Sequence, residues 1–359
     1  MVRPQRENIG GAPPYAPPHQ ESHRKSVLTS FDTAPFHGQL RSMAKNEPFS
    51  GDSASDSADH GVGQVPGAVG QSAFTLTISD SPPVPVLIAV PHAGRVYPPE
   101  FVESMRSPEA ASLRLEDRFI DLVAAQVARQ TGAGLLVAHA PRAMIDLNRG
   151  PDDIDWEMVA GAEPERRARH AAGRRARSGL GLVPRRLPGL GELWRCRLSD
   201  NELRARIEQV HRPYHAALAE TLETLRYRWG AALLIDLHSM PPLGSKRGPE
   251  PAPDFVLGDR FGASCDTALS ASALDQFASA GCRAAHNRPY AGGYGLERHA
   301  APGRGLHALQ IEVCRSAYLD AALREPGAGL PAVARVLARL VQRMAGELAA
   351  GRSLQQAAE

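Results

Sequence analysis

Ala231-Ala-Leu-Leu-Ile-Asp-Leu-His-Ser239 decides the reading of this chain. Residues 231–237 form an almost unbroken apolar run, as in a strand buried on both faces of a parallel sheet. The run leads straight into His238, so a buried strand delivers an imidazole. Val84-Pro-Val-Leu-Ile-Ala-Val90 has the same character and stops at Pro91-His92-Ala93-Gly94. A buried strand ending in a Pro/Gly-punctuated loop is a common place to present a functional side chain. Ala308-Leu-Gln-Ile-Glu-Val313 is the last such run, with Glu312 inside it. Phe74–Ile78 alternates like a half-buried strand, Leu135–Ala138 is a further apolar strand, and Phe255–Leu257 is a short one. Between them, helical spacing covers 115–130 through Phe119, Ile120, Val123 and Val127. It also covers 202–228, with Pro213 inside or near a kink, and an amphipathic 330–350. Strands alternating with helices predict an α/β domain around a mainly parallel, mixed sheet.

Composition marks the limits of that domain. Residues 1–72 are rich in Pro, Ser, Gly, His and Asp and cannot bury enough apolar surface to offset ordering, so they read as a disordered extension. Residues 73–350 read as the folded domain and 351–359 as a tail; 150–200, rich in Arg, Gly and Pro, reads as a long excursion. The 41 basic and 39 acidic side chains leave a net charge of +2, too weak a field to imply nucleic acid. The basic clusters at 165–170 and 174–177 read as a solvated face or a mobile loop. Cys196, Cys265, Cys282 and Cys314 show no metal spacing and read as reduced thiols. No apolar run reaches the length of a membrane span, and no apolar stretch follows Arg3 and Arg6 as in a secretory signal. A cytoplasmic protein without a membrane partner is expected; oligomeric state is not legible.

The chemistry is read from strand ends, where open α/β sheets place their sites. His92 and His238 with a carboxylate make a standard ligand set for catalytic zinc, with one position open for water. Glu116 or Asp117, at the start of the 115–130 helix, supplies the carboxylate; acids there also complement a helix dipole. Two imidazoles and a carboxylate suit iron, cobalt or manganese as well. Glu312, an acid in an apolar strand, needs a partner or a task, and general base is the task that fits. Asn148-Arg149 offers a fork for a substrate carboxylate. The competing reading is a salt bridge from Arg149 to Asp146, Asp152 or Asp153. There is no G-x-S-x-G elbow, P-loop or H-E-x-x-H, and the glycines at 292–295 make no dinucleotide fingerprint.

Taken in order, several stretches resemble the N-formylglutamate amidohydrolases. They are Val90-Pro-His-Ala-Gly-Arg95, Glu116-Asp-Arg-Phe-Ile-Asp121, Pro141–Arg149, Arg212-Pro-Tyr-His215, Ile235-Asp-Leu-His-Ser-Met240, Tyr290-Ala-Gly-Gly293 and Ala308–Val313. The resemblance spans about residues 80–345. It implies a fold like that of zinc carboxypeptidases and aspartoacylases. It also implies hydrolysis of N-formyl-L-glutamate to formate and L-glutamate, a late step of histidine degradation. It implies that His92, Asp117 and His238 hold one divalent metal, most simply Zn2+, with Glu312 as base. Asn148-Arg149 would hold a substrate carboxylate, with Arg142 and His299 nearby. Carboxypeptidases take a second ligand three residues after the first, but position 95 here is arginine, so the carboxylate ligand must come from elsewhere.

Overall fold

A computed structural model describes residues 63–161, 173–249 and 251–358. The basic cluster at 165–170 and most of the N-terminal extension lie outside the described residues. Seven strands form one mixed sheet: β1 (Phe74–Thr77), β2 (Val86–Val90), β3 (Gly134–Ala138), β4 (Ala232–Met240), β5 (Phe255–Gly258), β6 (Ala284–His286) and β7 (Leu306–Cys314). Their order is β1-β3-β2-β4-β7-β5-β6. The central pairs β3·β2, β2·β4 and β4·β7 are parallel, whereas β1 and β5 pair antiparallel to their inner neighbours. The expected α/β class with a mainly parallel mixed sheet is what forms.

The helices are α1 (Pro99–Ser104), α2 (Pro108–Leu115), α3 (Ile120–Thr131), α4 (Arg174–Arg177), α5 (Asp200–Arg206), α6 (Arg212–Trp229), α7 (Thr267–Ser279), α8 (Tyr294–His299) and α9 (Leu330–Ala358). The period of two splits each central strand between two cores. Leu233, Ile235 and Leu237 of β4 join Val86, Ile88 and Val90 of β2 against α3, α7 and α9. Ala232 and Leu234 join Leu87 and Ala89 on the opposite face, against Tyr214, Leu218, Leu222 and Leu225 of α6. On β4 the first face stays apolar through Leu237 and ends at Ser239, whose hydroxyl donates to Asp117. The second turns polar toward the carboxyl ends, at Asp236 and His238 on β4 and at Gln310 and Glu312 on β7. None of the helices among the described residues is long and apolar enough to cross a membrane.

Three details depart from the sequence reading. β4 does not stop before His238. Its ladder with β7 runs on through His238↔Glu312 to Met240↔Cys314. Polar side chains do not end a strand when the neighbouring strand presents partners. The stretch 115–130 is not one helix: α2 and α3 are separated by 116–119, with Phe119 left-handed at φ 57°. Asp117 N donates to the His92 carbonyl at 2.9 Å, which pins this turn beside β2. The 202–228 helix contains a π-turn over Ile207–His211 just before Pro213. Proline has no N–H to donate, and the Gln209 carbonyl instead accepts Gln64 N at 3.1 Å. Residues from 63 onward are thus held on the domain, with Val65 buried, ahead of the boundary after residue 72 suggested by composition.

Candidate active site

The polar ends of β4 and β7 meet the loops after β2 and β3 at one buried point. His92 follows β2 in a turn where Gly94 is required, because a Cβ there would lie 2.0 Å from the Ala140 carbonyl oxygen. His92, Asp117 and His238 are all buried, and each offers one ligand atom within 4.8 Å of the others. Asp117 Oδ2 lies 3.0 Å from His238 Nδ1 and 3.6 Å from His92 Nδ1. Of the two acids left open by sequence, Asp117 faces the histidines. The Glu116 carboxylate turns away to accept the Tyr97 hydroxyl at 2.7 Å and Arg118 at 3.1 Å.

Each donor is aimed by a neighbour. His92 Nε2 donates to Asp146 Oδ1 at 2.7 Å, and His238 Nε2 to Asp236 Oδ2 at 3.1 Å. Both rings therefore turn Nδ1 toward Asp117. Asp117 Oδ1 accepts the Ser239 hydroxyl at 3.1 Å and lies 3.4 Å from Arg315, leaving Oδ2 for the centre. His92 Nδ1 is buried without a hydrogen-bond partner. A desolvated lone pair is costly unless something occupies it. Carboxylate-backed imidazoles around a third oxygen ligand are what a divalent cation of the zinc type requires. The residues fit such an ion.

The buried charges shift one another strongly. Burial alone would raise the Asp117 carboxyl, but His238 and His92 hold it well below the usual carboxylate range. Burial opposes charge on His238, yet Asp236, Asp117 and Glu312 outweigh it and raise the imidazole. Burial also raises Asp146, and Arg142, His92 and Arg149 pull it well below the carboxylate range. Burial pushes Glu312 up to about 7, with Asp117 and Asp236 adding to the rise and His238 and Arg142 opposing it. A carboxyl that titrates near neutrality both takes and returns a proton readily.

Glu312 is also oriented. Gln310 Nε2 donates to Glu312 Oε1 at 2.9 Å. Gln310 Oε1 accepts Gly293 N at 3.0 Å and Asn148 Nδ2 at 3.2 Å, and Asn148 Oδ1 accepts Gly295 N at 3.0 Å. Position 293 must be glycine: a Cβ would stand 2.3 Å from Asn148 Oδ1. Asn148, expected at a substrate carboxylate, is spent inside this network. Arg149 Nε and Nη1 donate to the carbonyls of Leu180 and Asn148 at 3.0 and 2.7 Å, with Nη2 4.0 Å from Asp146. Arg142 grips Asp146 more closely, at 3.0 Å. His299 is buried on α8 and bonded to His215, which is 2.9 Å away.

Sequence reasoning assigned no role to Asp236, Gln310, Ser239, Arg315 or His215. Asp236 had a signal, since residues two apart on a strand share a face. Asp146 was weighed only as a partner for Arg149. In Asp146→Asn, zinc affinity should fall about 10- to 100-fold, as when a metal-binding histidine loses its supporting carboxylate. Competition with a chromophoric chelator measures it, and an unchanged affinity would remove Asp146 from the centre.

Comparison with known proteins points one way. The family model for N-formylglutamate amidohydrolase matches residues 84–319. The chain is 34% identical over 240 residues to the N-formylglutamate deformylase of Pseudomonas putida, covering 66% of this chain and 82% of that one. The Pseudomonas aeruginosa enzyme of the same name is 33% identical over 245 residues, with coverages of 66% and 83%. The crystal structure of N-formylglutamate amidohydrolase from Ralstonia eutropha JMP134 aligns with a TM-score of 0.69 at 33% identity. That match covers 77% of this chain and 99% of the other.

Proposed function

The chain belongs to the N-formylglutamate amidohydrolase family, and from that premise we propose that it hydrolyses N-formyl-L-glutamate to formate and L-glutamate. The observation that carries the proposal is the buried His92, Asp117 and His238 group, beside a Glu312 whose carboxyl is pushed up to about 7. These three residues would hold one divalent ion, of which Zn2+ suits the donor set best. Such an ion, when bound, polarises the formyl carbonyl and makes a nearby water easier to deprotonate.

The chain's own residues do the rest. Glu312 accepts a proton from the attacking water as its oxygen bonds to the formyl carbon. It then passes that proton to the glutamate nitrogen as the carbon–nitrogen bond breaks, yielding formate and a free amine. Asp146 and Asp236 keep the imidazoles aimed, and Gln310 holds Glu312 in place. Arg149 offers a substrate carboxylate its remaining Nη donors, with Arg142 adding positive charge close behind. Asn148 serves the substrate indirectly, by orienting Gln310. A cytoplasmic place late in histidine degradation belongs to the same proposal.

A panel of formyl, acetyl and larger acyl derivatives of glutamate, aspartate and glutamine tests the substrate. Highest kcat/KM on N-formyl-L-glutamate is expected; a clear preference for another acyl group or amino acid would overturn the assignment. In Arg149→Gln, KM for N-formyl-L-glutamate should rise about 10- to 100-fold, the cost of a charge-assisted hydrogen bond. The rise should be much smaller for an analogue whose side-chain carboxylate is amidated, provided that this carboxylate is the one Arg149 meets. Equal rises for that analogue and for one amidated at the α-carboxylate would exclude a carboxylate contact.

A further inference from the structure

Three buried histidines outside the metal group, His211, His215 and His299, have no part in the chemistry above. Their hydrogen bonds fix their tautomers. The Leu147 carbonyl can only accept, so His215 Nε2, 3.0 Å away, carries a proton. Burial, with His211 and His299 adding to it, holds His215 well below the ordinary imidazole range, so the ring is neutral. His215 Nδ1 is then an acceptor, and His299 Nε2 donates to it at 2.9 Å. His211 Nε2 donates to the Arg149 carbonyl at 2.9 Å. The His215 and His299 rings lie edge to edge with their planes within 14° and their centroids 5.2 Å apart, and Tyr294 packs edge-on to His215 at 5.1 Å.

These bonds close a circuit. His299 ends α8, the helix whose first turn supplies the Gly293 and Gly295 amides to Gln310 and Asn148. His215 lies on α6 and reaches both α8 and the 146–149 segment. That segment carries Asp146, behind His92, and Arg149. The segment has no regular secondary structure of its own to fix it. One imidazole with one donor and one acceptor therefore ties three parts of the site together.

We propose that His215 is a positioning residue, with His299 and His211 as its supports, that sets the 146–149 segment against α8. It thereby aims Asp146 at His92 and Arg149 at the substrate together. The Arg149 half rests on the hydrolase reading above; the Asp146 half concerns only metal affinity.

The test compares full-length His215→Phe, which keeps a ring but makes neither hydrogen bond, with His215→Gln, which can make both. Zinc affinity is read by chelator competition, and kcat and KM are read on N-formyl-L-glutamate. In His215→Phe, zinc affinity should fall about 10-fold or more and KM should rise with it, because one displaced segment carries both effects. His215→Gln should recover most of each. A folded His215→Phe with zinc affinity and KM both within about twofold of the unmodified protein would overturn the proposal. So would Phe and Gln variants that are equally impaired. If His215→Phe does not fold, His299→Phe, which removes the donor to Nδ1 and spares the Leu147 bond, takes its place with the same two readouts. An unmodified chain that binds zinc without hydrolysing N-formyl-L-glutamate would sink the functional reading and leave the zinc comparison valid.

Discussion

Glu312→Gln should bind metal like the unmodified protein and turn over substrate about 10²- to 10⁴-fold more slowly, the usual loss when a general base is removed. The amide keeps the shape of the carboxyl, and its oxygen still accepts Gln310 Nε2, so the network around it survives. KM should change little, because Glu312 acts as the bond is made rather than as the substrate is held. Burial raises the Glu312 carboxyl, which means that its charge is costly in the folded protein. The neutral variant should therefore be at least as resistant to heat as the parent. Turnover within about threefold of the parent, with metal still bound, would remove Glu312 as base.

His238→Ala is expected to have the second large effect. It should lose bound metal and, with it, at least about 10³-fold in turnover, because a ligand and the ion's polarising charge disappear together. The alanine variant also leaves Asp117 and Asp236 buried without the imidazole between them. Two uncompensated buried carboxylates threaten folding in their own right. His238→Asn, which keeps a polar side chain at the site, separates the two effects. A folded asparagine variant should be as metal-poor and as slow as the alanine variant. If either keeps both metal and activity, His238 is not a ligand.

Much of this site was legible because its residues interrupt apolar strands. His92, His238 and Glu312 stand out against the runs 84–90, 231–237 and 308–313, and the parallel sheet brings those strands side by side. Asp117 could not be separated from Glu116 by pattern, since both lie in the turn between two helices. Tertiary bonds decide between them: Asp117 N to His92 O on one side, Tyr97 and Arg118 to the Glu116 carboxylate on the other. Asp236 stayed unassigned because the apolar run ends at Leu237. The spacing of 236 and 238 becomes a shared face once the paired ladder carries the strand past Leu237. For Arg149 the two readings coexist, as it lies 4.0 Å from Asp146 and still has Nη donors to offer. Asn148 illustrates the opposite limit. A motif can name a residue near the substrate, whereas its hydrogen bonds to Gln310 and the Gly295 amide are visible only in the fold.

The most direct test of the central claim is the metal content of the purified protein, measured alongside its hydrolysis of N-formyl-L-glutamate. The site predicts about one divalent ion per chain, from the one such group of two imidazoles and a carboxylate among the described residues. Chelation should remove the ion and the activity together, and added Zn2+ should restore both. Full hydrolysis by protein stripped of metal would contradict the account.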